Sequence, residues 1–224
     1  MIIKNTNDVV SHGVKIIVYG QAGAGKTSLI PTLPTPIILS AEAGLLSIQK
    51  SNLPYIEIKS MDDLKAAYLW LAKSDDAKAY ESIAIDSISE IAEVVLVAEK
   101  KANKDGRAAY GEMGAIMTDL IRAFRDLPKN VYFSAKMEKS QDEMGRMLYS
   151  PSMPGNKIGQ SLPYFFDEVF ALRVEKDNEG KPQRLLQCKP CNQWQAKDRS
   201  TKLNDFEAPD LGAIIRKIGG HNGE

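Results

Sequence analysis

Cysteine is scarce in this chain, with two in 224 residues. So few thiols cannot staple a disulfide scaffold, and they suit a reducing cytosol. Cys188 and Cys191 form a C-x-x-C pair, but structural zinc needs four ligands and no second pair exists. Histidine is scarcer still in function: His12 and His221 are remote from that pair, and His12 reads as a surface residue. A redox role would need a thioredoxin-like setting, which the neighbouring sequence lacks. Net charge is absent, with 29 basic against 29 acidic side chains. Global electrostatics therefore do not announce a nucleic-acid binder, and any such surface must be local. No apolar run approaches the roughly 20 residues of a membrane span. The opening MIIKNTNDVV lacks the apolar centre of a signal peptide. What remains is ordinary for a globular protein, 43% hydrophobic and 26% charged. The length suits a single α/β domain with a substantial core.

One stretch organises the rest, VKIIVYGQAGAGKTSLI at residues 14–30. An apolar, β-rich run leads into G-x-x-x-x-G-K-[ST], the phosphate-binding P-loop, in its required context of strand, loop and helix start. Gly20, Gly23 and Gly25 let the backbone take positive φ and approach an anion closely. The amides of Gly20, Gln21, Ala22, Gly23, Ala24, Gly25, Lys26, Thr27 and Ser28 then form a nest for phosphate at a helix N-terminus. Lys26 is placed to reach the β- and γ-phosphates, and Thr27 to offer a hydroxyl to Mg²⁺. The competing reading is a glycine-rich strand–helix turn without a ligand.

Along the chain, strands alternate with helices, which predicts a mainly parallel sheet covered on both faces. Residues 1–12 read as a polar lead-in. Pro31 and Pro34 cut the P-loop helix short. PIILS (36–40) and YIEI (55–58) read as strands, and Ser60 caps a helix whose apolar stripe is Leu64, Ala67, Tyr68 and Leu71. SIAID (82–86) is a short strand ending in an acid. Lying beside the P-loop strand, it would bring Asp86 to the Mg²⁺ held by Thr27; otherwise Asp86 or Ser87 caps the helix of Ile88, Ile91, Val95 and Ala98. A further helix carries Met113, Ile116, Leu120, Phe124 and Leu127 as a core face, before the strand VYFSA (131–135). From 136 to 159 the pattern breaks into a long loop with mixed charge, at a strand's carboxyl end where open α/β sheets bind ligands. Lys139, Arg146 and Lys157 are its candidate ligand contacts; a hairpin without a partner is the alternative. Residues 167–200 form a β-rich extension, with strands at 168–174, 184–188 and from 194, and a last helix spans 209–218.

Taken together, GQAGAGKT (20–27), LSAEAG (39–44), SIAIDS (82–87), VYFSAK (131–136) and WQAKDRS (194–200) resemble the RecA-like P-loop ATPases. More closely, the chain resembles the compact phage nucleotide-binding proteins of the Sak-type single-strand annealing family, over nearly its whole length. The resemblance implies a single RecA-like domain over 1–224 that uses ATP and Mg²⁺. It implies that Glu42 activates the attacking water. It also implies that Lys197 and Arg199 form a K-x-R pair reaching a neighbouring subunit's γ-phosphate. RecA's glutamine at the end of the 131–136 strand is missing here, which leaves Ser134 or Lys136 as the γ-phosphate sensor. Implied partners are single-stranded DNA (contacted by Lys139, Arg146 and Lys157), further copies in a ring or filament, and a phage or host single-strand-binding protein. The implied setting is the cytoplasm of an infected or lysogenic bacterial host, with no membrane. An ATP-gated assembly module with negligible turnover is a second reading. A small-molecule P-loop kinase is a third, weakened by the lack of an arginine-rich lid.

Overall fold

The computed structural model describes residues 13–42 and 44–219. The 1–12 lead-in, with His12, and His221 fall outside them. The P-loop strand β1 (Lys15–Tyr19) is buried along its whole length. So are β2 (Pro36–Ser40) and the strand Ser82–Asp86, while β3 (Tyr55–Glu57) is a short, largely exposed edge. Such continuous burial is what a parallel strand covered on both faces requires. Helix α1 (Met61–Lys73) starts where expected. The Ser60 hydroxyl accepts from Asp63 N at 3.2 Å, a cap that contributes about 1 kcal/mol. After it come β4 (Ser82–Asp86), α2 (Ile88–Ala102), α3 (Gly106–Arg125), β5 (Asn130–Gln141), β6 (Met147–Ser152) and α4 (Asn156–Phe165). The chain ends with β7 (Glu168–Lys176), β8 (Pro182–Gln187), β9 (Lys197–Asp198), β10 (Phe206–Glu207) and α5 (Leu211–Gly219).

The main sheet runs β10-β8-β7-β1-β5-β4-β2-β3. From β7 to β3 all pairings are parallel, and β8 and β10 add antiparallel strands from the C-terminal part. This is the expected class, a mainly parallel sheet flanked by helices. Alternate residues of β1 divide the core between the two faces. Ile17 and Tyr19 pack with the buried faces of α1 to α4, whereas Ile16 and Val18 pack with Leu29, Ile30, Ile48, Leu211 and Ile214.

Five expectations change. The P-loop leads into a six-residue 3₁₀ helix, Thr27–Thr32, not an α-helix, because Pro31 lies inside it and has no amide to continue the ladder. The buried face of α2 is Ile88, Ile91, Ala92, Val95 and Leu96; Ala98 is exposed. β4 does not lie beside β1, since β5 runs between them. The 136–159 stretch is not an irregular loop. β5 continues for 12 residues and pairs antiparallel with β6, and α4 follows. The exposed polar run at 138–141 and the half-buried β6 weaken the alternation by which a strand is recognised. Finally, the antiparallel strand expected from Trp194 begins only at Lys197, as the two-residue β9. Trp194 bridges to Tyr149 of β6, β9 pairs with β7, and β10 takes the place beside β8.

Candidate functional site

The site lies at the carboxyl ends of β1, β5, β4 and β2. Gly20 follows β1 with its backbone against β7: a Cβ there would stand 2.8 Å from the Leu172 carbonyl oxygen. Gly23 and Gly25 have φ of +77° and +97°, the left-handed region that glycine alone enters freely. The Lys26 ammonium folds back and donates to the Gly20 and Gln21 carbonyls at 3.0 and 3.1 Å. Burial lowers its pKa, while Glu42 and Asp86 act in the opposite sense. The buried Tyr132 hydroxyl donates to the Lys26 carbonyl at 2.9 Å and pins the loop from below.

Asp86 reaches the P-loop across β5. Its Oδ2 accepts from the Thr27 hydroxyl at 2.8 Å, and its Oδ1 accepts from the buried Ser134 hydroxyl on β5. The intervening strand is therefore what presents Asp86 to Thr27. Ser134 is bonded to the acid, and Lys136 pairs with Glu90 at 2.8 Å, which raises its pKa. Thr27 and Asp86 offer a hydroxyl and a carboxylate, an all-oxygen donor set of the kind Mg²⁺ takes. The loop cradle above them suits the phosphates that usually share such an ion.

Glu42 follows β2, whose last residue Ser40 is in register with Asp86. The Ser40 hydroxyl donates to the Glu42 carbonyl at 2.8 Å, and the Ser87 hydroxyl donates to Glu42 Oε1. Ser87 also caps α2, its oxygen accepting from Glu90 N at 3.3 Å. At this strand end Asp86 meets Thr27, and Ser87 opens the helix. Thr27 Oγ1 and Glu42 Oε2 lie 3.9 and 4.0 Å from the point where a Cβ on Gly44 would stand. The carboxylate thus faces the same space as the Thr27 hydroxyl. Sequence reasoning missed the holding roles of Ser87 and Tyr132, which depend on strand order, and that of Ser40, a local turn contact.

The remaining candidates lie elsewhere. Lys197 donates to the Pro163 and Phe166 carbonyls at 3.1 and 2.7 Å, closing the end of α4. Arg199 pairs with Asp167 at 2.7 Å. Asp167 donates its amide to Lys15, so the pair sits at the opposite end of β1 from the P-loop. On the hairpin, Arg146 pairs with Asp142 at 2.7 Å inside the turn, Lys139 is exposed, and Lys157 lies in the first turn of α4 with its side chain outside the described residues. Cys188 is buried and Cys191 exposed, both as free thiols. No described helix is long and apolar enough to cross a membrane.

No curated protein matches the sequence. Among solved structures, the chain is similar to a KaiC-like protein from the hyperthermophilic archaeon Pyrococcus horikoshii, with 12% identity and a TM-score of 0.43 over 78% of this chain and 77% of that one. The family model of the AAA domain matches residues 12–200, the P-loop, Asp86 and the hairpin included, and the chain belongs to that family of P-loop ATPases.

Proposed function

We propose that this chain is an Mg²⁺-dependent ATPase that binds single-stranded DNA, in the manner of the Sak-type phage annealing proteins. The observation that carries the hydrolytic part is the placement of Glu42. It is held by Ser87 and opens onto the space shared with Thr27. In this reading ATP lies along the loop of residues 20–28, and Lys26 neutralises its terminal phosphates. Thr27 and Asp86 hold Mg²⁺. Glu42 accepts a proton from the attacking water, the general-base work a carboxylate can do when it is positioned within reach. The bound ion would supply charge neutralisation on the phosphates.

The DNA part rests on the hairpin. It continues β5, the strand that carries Ser134 against Asp86, beyond the carboxyl edge of the sheet. Nucleotide state and hairpin position would share one rigid strand. A second reading, an ATP-gated module with negligible turnover, draws on the engagement of Lys197 and Arg199 within their own chain. Steady-state ATP turnover with and without single-stranded DNA, beside a sizing column run with and without ATP, separates the two. Stimulation by DNA supports the first reading. Binding of ATP and DNA without turnover supports the second. Phosphoryl transfer to a metabolite would replace both with a kinase.

A further inference from the structure

Arg184 is an exposed residue of β8, in register with Val174 of β7. Its strand belongs to the C-terminal antiparallel part of the sheet, far from the P-loop in sequence. Yet a Cβ built on Gly25 would overlap Arg184 Nη1 and would stand 3.4 Å from both its Cδ and its Cζ. The guanidinium therefore rests on the face of Gly25, the glycine that precedes Lys26. The neighbouring basic residue of this hairpin, Arg173, is committed: it pairs with Glu175, donates to Gln187 at 2.7 Å and stacks on Trp194. Lys181 pairs with Glu179 at 2.7 Å. The Arg184 side chain makes no hydrogen bond or ion pair among the described residues.

The guanidinium thus lies on the phosphate-binding loop with no carboxylate paired to it among the described residues, a cation placed where a bound phosphate chain would run. A planar guanidinium with paired N–H donors matches the oxygens of a phosphate better than a point-like ammonium does. We propose that Arg184 is a phosphate-binding residue of the nucleotide site, supplied in cis by β8, which grips the polyphosphate chain over Gly25. The inference rests on the P-loop reading and deepens it. It makes the β7–β8 hairpin a part of the nucleotide site and not only an extension of the sheet. It also gives each subunit an arginine of its own, independent of any Arg199 delivered by a neighbour.

The test is nucleotide binding by wild type, Arg184→Ala, Arg184→Lys and Lys26→Ala. Probes are ATP and ADP, with inorganic tripolyphosphate as competitor. Loss of a charge-assisted contact should weaken ATP and ADP binding by Arg184→Ala roughly 10- to 100-fold. Arg184→Lys should recover part of it. Tripolyphosphate should compete with ATP on wild type and lose that ability in parallel on Arg184→Ala. The loss should be the same at protein concentrations below and above self-association, as a contact in cis requires. Three results would each overturn the inference: unchanged affinity in Arg184→Ala, weakened ATP with unchanged tripolyphosphate competition (a contact to the base), or a loss seen only in assembled protein. Lys26→Ala keeps these outcomes apart from failure of the P-loop reading. If Lys26→Ala loses ATP while Arg184→Ala keeps it, the loop stands and the arginine does not. If neither loses it, both fall.

Discussion

Two hydroxyls, from Thr27 and Ser134, hold Asp86 in place. The carboxylate is thus oriented toward the loop, and Asp86→Ala should weaken Mg²⁺-dependent ATP binding far more than binding measured in EDTA. Equal loss with and without the ion would remove Asp86 from the metal site. Lys26→Ala should abolish tight ATP binding in a folded protein; retained affinity would contradict the P-loop reading. A third residue acts on stability. Glu168 is buried, its Oε2 has no hydrogen-bond partner among the described residues, and Asp198 lies beside it. Burial, helped by the Asp198 charge, pushes its carboxyl from 4.5 up to about 8. The folded chain then keeps a proton that the unfolded chain releases. This contribution is full below the ordinary carboxyl value and is lost as pH rises to about 8. Lys15, lowered by burial to about 8, has the opposite slope only above that pH. Thermal unfolding should therefore fall by on the order of 5 °C between about pH 6 and pH 8. Glu168→Gln should flatten that slope; an unchanged slope would place its origin in other groups. Motif logic made Lys26, Thr27 and Asp86 legible, since their chemistry is written in short local patterns. The bond of Ser134 to Asp86, the bond of Ser87 to Glu42 and the approach of Arg184 to Gly25 were not legible, because only the strand order brings these partners together.

At the level of elements, the hairpin of β5 and β6 was the least legible. Residues 138–141 of β5 are exposed and charged or polar, and β6 is mostly half-buried, so the apolar alternation is weak and the stretch reads as a loop. Its base, in contrast, is anchored. The Tyr19 hydroxyl at the end of β1 donates to the Tyr149 and Gln195 carbonyls at 3.0 and 2.7 Å, and Tyr149 stacks on Trp194 at 4.1 Å between ring centroids. A rigid base and an exposed tip suit an element that meets a partner. Neutralising Lys139, Arg146 and Lys157 together should weaken single-stranded DNA binding and flatten its dependence on salt. Affinity and salt slope both unchanged would assign the hairpin to another task. The six-residue turn after the P-loop was half legible: Pro31 and Pro34 announced an early stop, but not that the whole segment would be 3₁₀.

For the whole molecule, the parallel sheet was readable from alternating strands and helices, whereas the insertion of β5 between β1 and β4 was not, since order is a long-range property. That order sets the assembly question. Lys197 and Arg199 sit at the opposite end of β1 from the P-loop, so a catalytic role for them needs a neighbouring copy. In that case ATPase activity rises faster than linearly with protein concentration, Arg199→Ala binds ATP but hydrolyses it poorly, and mixing it with Glu42→Gln restores some activity. Turnover strictly proportional to concentration, with no rescue, would leave the pair its observed structural partners alone. The central claim, that this molecule hydrolyses ATP with Glu42 as its base, is tested most directly by phosphate release from ATP-saturated wild type and Glu42→Gln, with ATP affinity measured on the same samples. The account predicts equal ATP binding and a rate reduced by about 10²-fold or more in the amide variant. Glu42→Gln turning over ATP at the wild-type rate would contradict it.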